Sequence, residues 1–219
     1  MKHSPLASAI LLLLCFSAQA QTASHENGQV KSGEYLNLFF GLAFTYPKDW
    51  VVHDEAINKR INDGAREEAA KTGNLAQQKN THVLFTSTRY PRGTPGLAVN
   101  PVVLVVAEKV PANANGKDYL FSLRPLRQKR GLQPVLPEPL EFSVAGLQFF
   151  RDNYTGEVNS VALKQAIFVT VKKGYALIFS FTGEDQKSVD EMAETMKTIS
   201  RVGTGGGIGT GSSQERKPD

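Results

Sequence analysis

Few residues in this chain could do chemistry, and their spacing argues against most of it. His3 and His25 fall in N-terminal stretches with no predicted packing, so His53 and His82 are the only histidines of the folded region. His53-Asp54-Glu55 sets an imidazole beside two carboxylates. Neighbouring side chains at a strand end point in different directions, however, and no His-x-x-x-His or Asp-x-Asp-x-Asp spacing accompanies them. The run reads better as a solvated helix start, with Asp54 or Glu55 at the positive end of the helix dipole. His82 precedes a strand and reads as an edge residue. No Gly-x-Ser-x-Gly elbow is present, which argues against a serine hydrolase. The glycines from Gly203 onward miss the dinucleotide fingerprint, because the third glycine position falls on Ile208, Thr210 or Ser212. No catalytic, cofactor-binding or metal-ligating residue is predicted, and no cofactor.

Other clusters have plain readings. Arg124, Arg127, Lys129 and Arg130 form the densest basic group. They could receive a phosphate or an anionic head group, but read more simply as a solvated helix end whose cations suit the dipole. Trp50, with Tyr35, Phe39 and Phe40, could rim a ligand pocket; aromatics at strand spacing are usually core. Asn153-Tyr154-Thr155 matches a glycosylation acceptor, yet it falls in a predicted strand. The net charge of +4, one unit of it from Lys2, speaks for solubility rather than nucleic-acid binding.

The compartment is set by residues 1–20. Lys2 and His3 give a basic start, residues 6–16 are nearly all apolar, and Ala18-Gln19-Ala20 is a small-x-small cleavage site, so a mature chain is expected from Gln21. The run is too short to span a bilayer, and nothing later is long enough. Export to the periplasm or outside the cell is therefore expected. Cleavage would remove Cys15, the one cysteine, and with it any disulfide. Lipid attachment at Cys15 is the rival reading, and Leu14 before it is too large for that signal.

Along the mature chain, 21–33 predicts a mobile leader, 34–202 one domain, and 203–219 a disordered Gly-rich tail. Phe40, Leu42, Phe44 and Tyr46 alternate as one face of a strand over 39–46, ended by Pro47. A helix is predicted over 54–71 with a thin stripe of Ile57, Ile61, Ala65 and Ala69. Strands follow at 83–90 and 102–107, the second apolar on both faces and hence covered on both. The helix predicted over 117–130 buries Tyr119, Leu120, Leu123 and Leu126, and Pro125 should kink or divide it. Strands at 140–144, 147–154, 161–172 and 175–182, joined by Ala145-Gly146, Thr155-Gly156 and Lys173-Gly174, predict an antiparallel meander whose last strand is central. A closing helix over 189–200, with Ser188 and Glu191 as a capping box, carries Val189, Met192, Ala193, Met196 and Ile199 on one stripe.

Phe40-Gly41-Leu42-Ala43-Phe44-Thr45-Tyr46-Pro47-Lys48-Asp49-Trp50 resembles the opening of the PsbP-like family. Val144-Ala145-Gly146-Leu147, Lys173-Gly174-Tyr175 and Met196-Lys197-Thr198-Ile199-Ser200 resemble its paired-strand turn, last hairpin and helix end. The resemblance implies an α+β fold, a mainly antiparallel sheet with helices on both faces in an α/β/α sandwich. It also implies a non-catalytic accessory, assembly or partner-binding role, and no binding residue carries over beyond this framework. The leading expectation is thus an exported, protein-binding domain of the cell envelope. The alternative is a carrier of a small apolar or lipid-like ligand, held between the sheet and the 57–69 helix. An uncharacterised hydrolase, the weakest reading, would need a cleft setting His53 or His82 against a carboxylate.

Overall fold

A computed structural model describes residues 28–71, 81–158 and 160–203. The expected signal, the tail beyond 203 and the whole of the 73–80 connector lie outside the described residues. The elements in order are β1 (Gly28–Lys31), β2 (Glu34–Asn37), β3 (Leu42–Thr45), β4 (Val51–Val52), α1 (Glu55–Lys71), β5 (Thr81–Thr88) and β6 (Val102–Lys109). Then come α2 (Gly116–Lys129), β7 (Leu132–Pro134), β8 (Leu140–Val144), β9 (Leu147–Val158), β10 (Val161–Lys172) and β11 (Tyr175–Gly183). The chain closes with α3 (Gln186–Ala193), a 3-10 turn (Glu194–Thr198) and β12 (Ser200–Arg201).

An eight-stranded sheet runs β4-β5-β6-β11-β10-β9-β7, with β8 also paired to β9, and every pairing is antiparallel. The central place of β6 and β11 follows from their composition, because a strand apolar on both faces is stable only when both are covered. On one face Val103, Val105 and Ala107 of β6 and Leu177, Phe179 and Phe181 of β11 meet Val189, Met192 and Met196 of α3 and its 3-10 continuation. On the other, Val106 and Ile178 meet Tyr119, Leu120 and Leu123 of α2. The protein is therefore an α+β domain built on a mainly antiparallel sheet with helices on both faces. Among the described residues no helix is long and apolar enough to cross a membrane.

A second, four-stranded sheet, β1-β2-β3-β12, was not legible in the sequence. It shares the α3 face, where Tyr35 of β2 and Phe44 of β3 pack on Phe85, and Phe44 meets Phe179 edge-on at 5.6 Å. Gly28–Lys31 lies in the expected mobile leader but pairs with β2, so order begins at least six residues before Glu34. The link is a two-residue turn in which Ser32 (φ 53°) and Gly33 (φ 84°) are both left-handed. Ala145-Gly146 and Lys173-Gly174 make the same kind of turn, which matches the twist of paired strands.

Several boundaries are corrected. Residues 38–41 form a turn rather than the start of a strand, because the Asn37 side chain accepts the Phe40 amide at 3.0 Å and Gly41 turns at φ 58°. Thr155-Gly156 is not a turn: β9 continues to Val158 and the reversal comes at Ser160 (φ 63°). Gly156 is needed because the Gly131 carbonyl leaves no room for a Cβ, which lets the unpredicted β7 lie alongside. Helix α2 runs through Pro125 undivided, held to the sheet by Tyr119, Leu120 and Leu123, and Leu126 is exposed rather than buried. The last helix starts earlier than predicted, capped by Asp185, which accepts the Ser188 amide at 2.8 Å. It stops short of Ser200 because Thr198 Oγ1 accepts the Thr45 amide at 2.9 Å and the chain joins β3 as β12.

Candidate functional site

The two histidines line one cavity. Helix α1 is capped by Asp54, whose Oδ1 accepts the Ile57 amide at 2.9 Å. Asn62, two turns on, accepts the Val83 amide at 3.0 Å, where β5 bulges between Val83 and Phe85. Between α1, β5 and the β4–α1 link lies a cavity of about 560 Å³, lined among others by His53, Asp54, Glu55, Lys59, Asn62 and His82. The cavity sits where the sequence placed a carrier pocket, but its lining carries imidazoles, carboxylates and amides besides Val52, Val83 and Phe85. That chemistry fits a polar ligand rather than a lipid-like one.

The imidazole of His53 is already occupied. It is buried, and its Nε2 lies 3.0 Å from Thr88 Oγ1. The Thr88 hydroxyl spends its proton on the Tyr90 carbonyl at 2.8 Å, so Nε2–H must be the donor to Thr88. Burial, and then the nearby Arg92 guanidinium, push the His53 pKa below its usual value, against a smaller opposing pull from Asp54. A neutral Nε2–H tautomer bonded to a threonine offers that nitrogen neither to a metal nor as a base. Asp54 is spent on its cap. Among the described residues no group of three or more His, Cys, Asp or Glu is placed to hold a metal ion.

The basic cluster is split rather than presented together. Arg124 crosses from α2 to β9, where Nε and Nη2 donate to the Asp152 carboxylate at 2.9 and 3.1 Å, and its remaining donors take the Pro137 and Leu136 carbonyls. Tyr154 donates to the same carboxylate at 2.8 Å. Asp152 is 1% exposed, so this is a buried charge that must be matched, and the Arg124 pKa is held above its usual value by that bond. Arg124 therefore cannot serve a phosphate patch, while Lys129 and Arg130 are exposed at the helix end. Arg127 is half-buried, and burial lowers its pKa.

Tyr35 and Phe40 are fully buried in the aromatic core, with Phe39 and Trp50 packed against it. Burial pushes the Tyr35 hydroxyl up to about 12, against a smaller pull down from Asn37. Asn153 sits inside paired strand β9, its Oδ1 taken by Arg151 Nε at 2.8 Å and its carbonyl by the Val135 amide, so the acceptor motif is structural.

A second concavity had no sequence signal. Between α3, its 3-10 continuation and β8 a groove of about 730 Å³ opens on the aromatic face of the sheet. Leu140, Phe142 and Val144 of β8, with Phe168 and Met196, supply its apolar surface. Phe142 stacks on Phe149 at 5.5 Å and meets Phe168 edge-on at 5.4 Å. Arg151 lies over Phe168 at 5.1 Å and bridges to Asp190 at 2.9 Å, while Lys197 pairs with Glu194 at 2.6 Å, so the rim carries both signs. Among the described residues β8 pairs with β9 alone, leaving its outer edge without a strand. The only trace in the sequence was β8's apolar alternation, which reads identically for a covered strand.

No family model matches the chain, and no curated protein does. Solved structures similar to it include LpqN, described as involved in cell envelope biogenesis of Mycobacterium tuberculosis. That match is 11% identical over 74% of this chain and 83% of LpqN, with a TM-score of 0.47. They also include the cyanobacterial PsbP of Synechocystis sp. PCC 6803, 12% identical over 80% of this chain and 96% of that protein, with a TM-score of 0.43. The second carries the name of the family that the sequence motifs resemble.

Proposed function

We propose that the domain is a non-catalytic, exported module of the cell envelope that captures an extended segment of a partner protein along β8. The observation that carries this is the open edge of β8 beside an apolar groove. An unpaired strand edge presents a row of amides and carbonyls that seek partners. A segment added there gains main-chain hydrogen bonds from the edge and selectivity from alternate side chains reaching the groove. The five residues of β8 match a segment spanning about 17 Å. Its side chains toward the groove would be apolar and spaced by two, with charges of either sign next to Arg151–Asp190 and Glu194–Lys197.

The test is selection of random peptides on the mature chain, followed by amide exchange with the selected peptides bound. The reading expects alternating apolar sequences that slow exchange within 140–144 and lose affinity in the Phe142→Ser variant. Selected peptides that protect another surface, or a β8-dependent dimer of the chain itself, would overturn it.

The cavity beneath α1 supports a second reading, a carrier of a small polar molecule. Native mass spectrometry of protein purified from its own host should then show added mass that is lost in Asn62→Leu. Bare protein alone would remove this reading.

A further inference from the structure

A third surface lies around the 38–41 turn. Lys172 and Lys173 flank the β10–β11 reversal, and Arg201 ends β12 opposite Leu42. The fold brings them together around the 38–41 turn. Lys173 Nζ donates to the Phe39 carbonyl at 2.6 Å and stands 4.9 Å from that ring's centre. Arg201 donates to the Gly146 carbonyl at 2.5 Å. Lys172 Nζ passes 3.9 Å from where a Cβ on Gly41 would stand, and the neighbouring Arg201 and Lys173 charges, after burial, depress its pKa. Among the described residues none of the three forms an ion pair with a carboxylate. Three like charges with no described carboxylate among them favour an anionic partner.

One further observation favours a lipid surface as the source of that anion. Leu38, whose carbonyl opens the same turn by accepting the Gly41 amide, is 39% exposed, and Phe39 beside it is only partly buried. We propose that the end of the domain carrying Leu38, Lys172, Lys173 and Arg201 docks on an anionic bilayer surface, with Leu38 entering the head-group layer and the three cations meeting lipid phosphates. Basic side chains at such a surface act nearly additively, about five-fold each in partitioning, and the attraction is screened by salt.

The experiment is flotation of the mature chain, from Gln21, with two kinds of vesicle: equal parts phosphatidylglycerol and phosphatidylcholine, and phosphatidylcholine alone. The protein should float with the anionic vesicles only, and high salt should release it. Combining Lys172→Gln, Lys173→Gln and Arg201→Gln should lower partitioning about a hundred-fold, and Lys173→Gln alone about five-fold. Leu38→Ser should weaken it several-fold at any salt, whereas Lys187→Gln, on exposed α3, should change nothing. Near-ultraviolet circular dichroism identifies any variant that has lost its packing, and Lys173→Gln in an exposed turn is the variant that decides if the triple one has. Equal behaviour on the two vesicles, no binding to either, or equal losses from Lys173→Gln and Lys187→Gln would overturn the proposal.

Discussion

The two faces of the large sheet are closed in different ways. On one face, rings close the core: Phe44, Phe85, Phe149, Phe179 and Phe181 are all buried to 1% or less, and neighbouring rings tilt or meet edge to face. On the other, α2 is fastened by a buried ion pair, with Arg124 reaching through to Asp152 and on to the carbonyls of 136 and 137. The directional clamp draws the 135–138 loop down and covers its side. Beside β8 the aromatic layer has only the partly exposed Arg151–Asp190 bridge, and there the sheet stays uncovered. Directional bonds close a surface locally, whereas apolar packing closes it only as far as its side chains extend.

This contrast can be broken from either side. Phe179→Ala removes a ring that touches both Phe44 and Phe149. Its cost should be the largest, about 4 kcal/mol, read from the urea midpoint at unchanged slope. Asp152→Ala leaves the Arg124 guanidinium and the Tyr154 hydroxyl without their shared acceptor and should cost about 3 kcal/mol. The double variant Arg124→Met with Asp152→Leu should recover most of that loss. Failure to recover would show that the clamp acts through the 135–138 loop rather than through the buried charge.

Smaller effects probe the link between α1 and β5. Asp54→Ala should cost about 1 kcal/mol by releasing the Ile57 amide, and should raise amide exchange through the first turn of α1. His53 gives the most subtle signal. Its folded pKa lies below the ordinary 6.5, so the folded state binds fewer protons than the unfolded one. Stability from this group is complete above pH 6.5 and falls as pH drops from there toward the lower folded value. His53→Gln should flatten that part of the pH profile, and an unchanged profile would place the titration elsewhere.

Legibility followed physical range. The doubly apolar β6, the alternation of β10 and β11 and the stripe on α3 are local patterns that demand burial, and each was readable. The Ala145-Gly146 and Lys173-Gly174 turns were readable because left-handed backbone there favours glycine. The same signal at Ser32-Gly33 was present but lay in a polar stretch, so β1 was missed. Gly156 misled because glycine serves two ends, a turn or a close backbone approach, and only the neighbouring β7 separates them. Of the site residues, His53 and His82 were singled out, yet the cavity they share beneath α1 is also lined by Asn62, which ties α1 to β5 and carried no signal in the sequence.

The chain's own letters determined that an antiparallel sheet with two covered faces would form, because each central strand carries apolar side chains on both sides and each helix on one. They determined as well that reactive groups would be scarce. Tertiary structure alone decided which charges are spent and which are offered. Arg124 and Arg201 are the same side chain, and only long-range placement gives one of them a buried carboxylate and leaves the other beside two lysines. A strand's edge, likewise, is open or closed by what the rest of the fold lays beside it, which no local pattern of residues encodes.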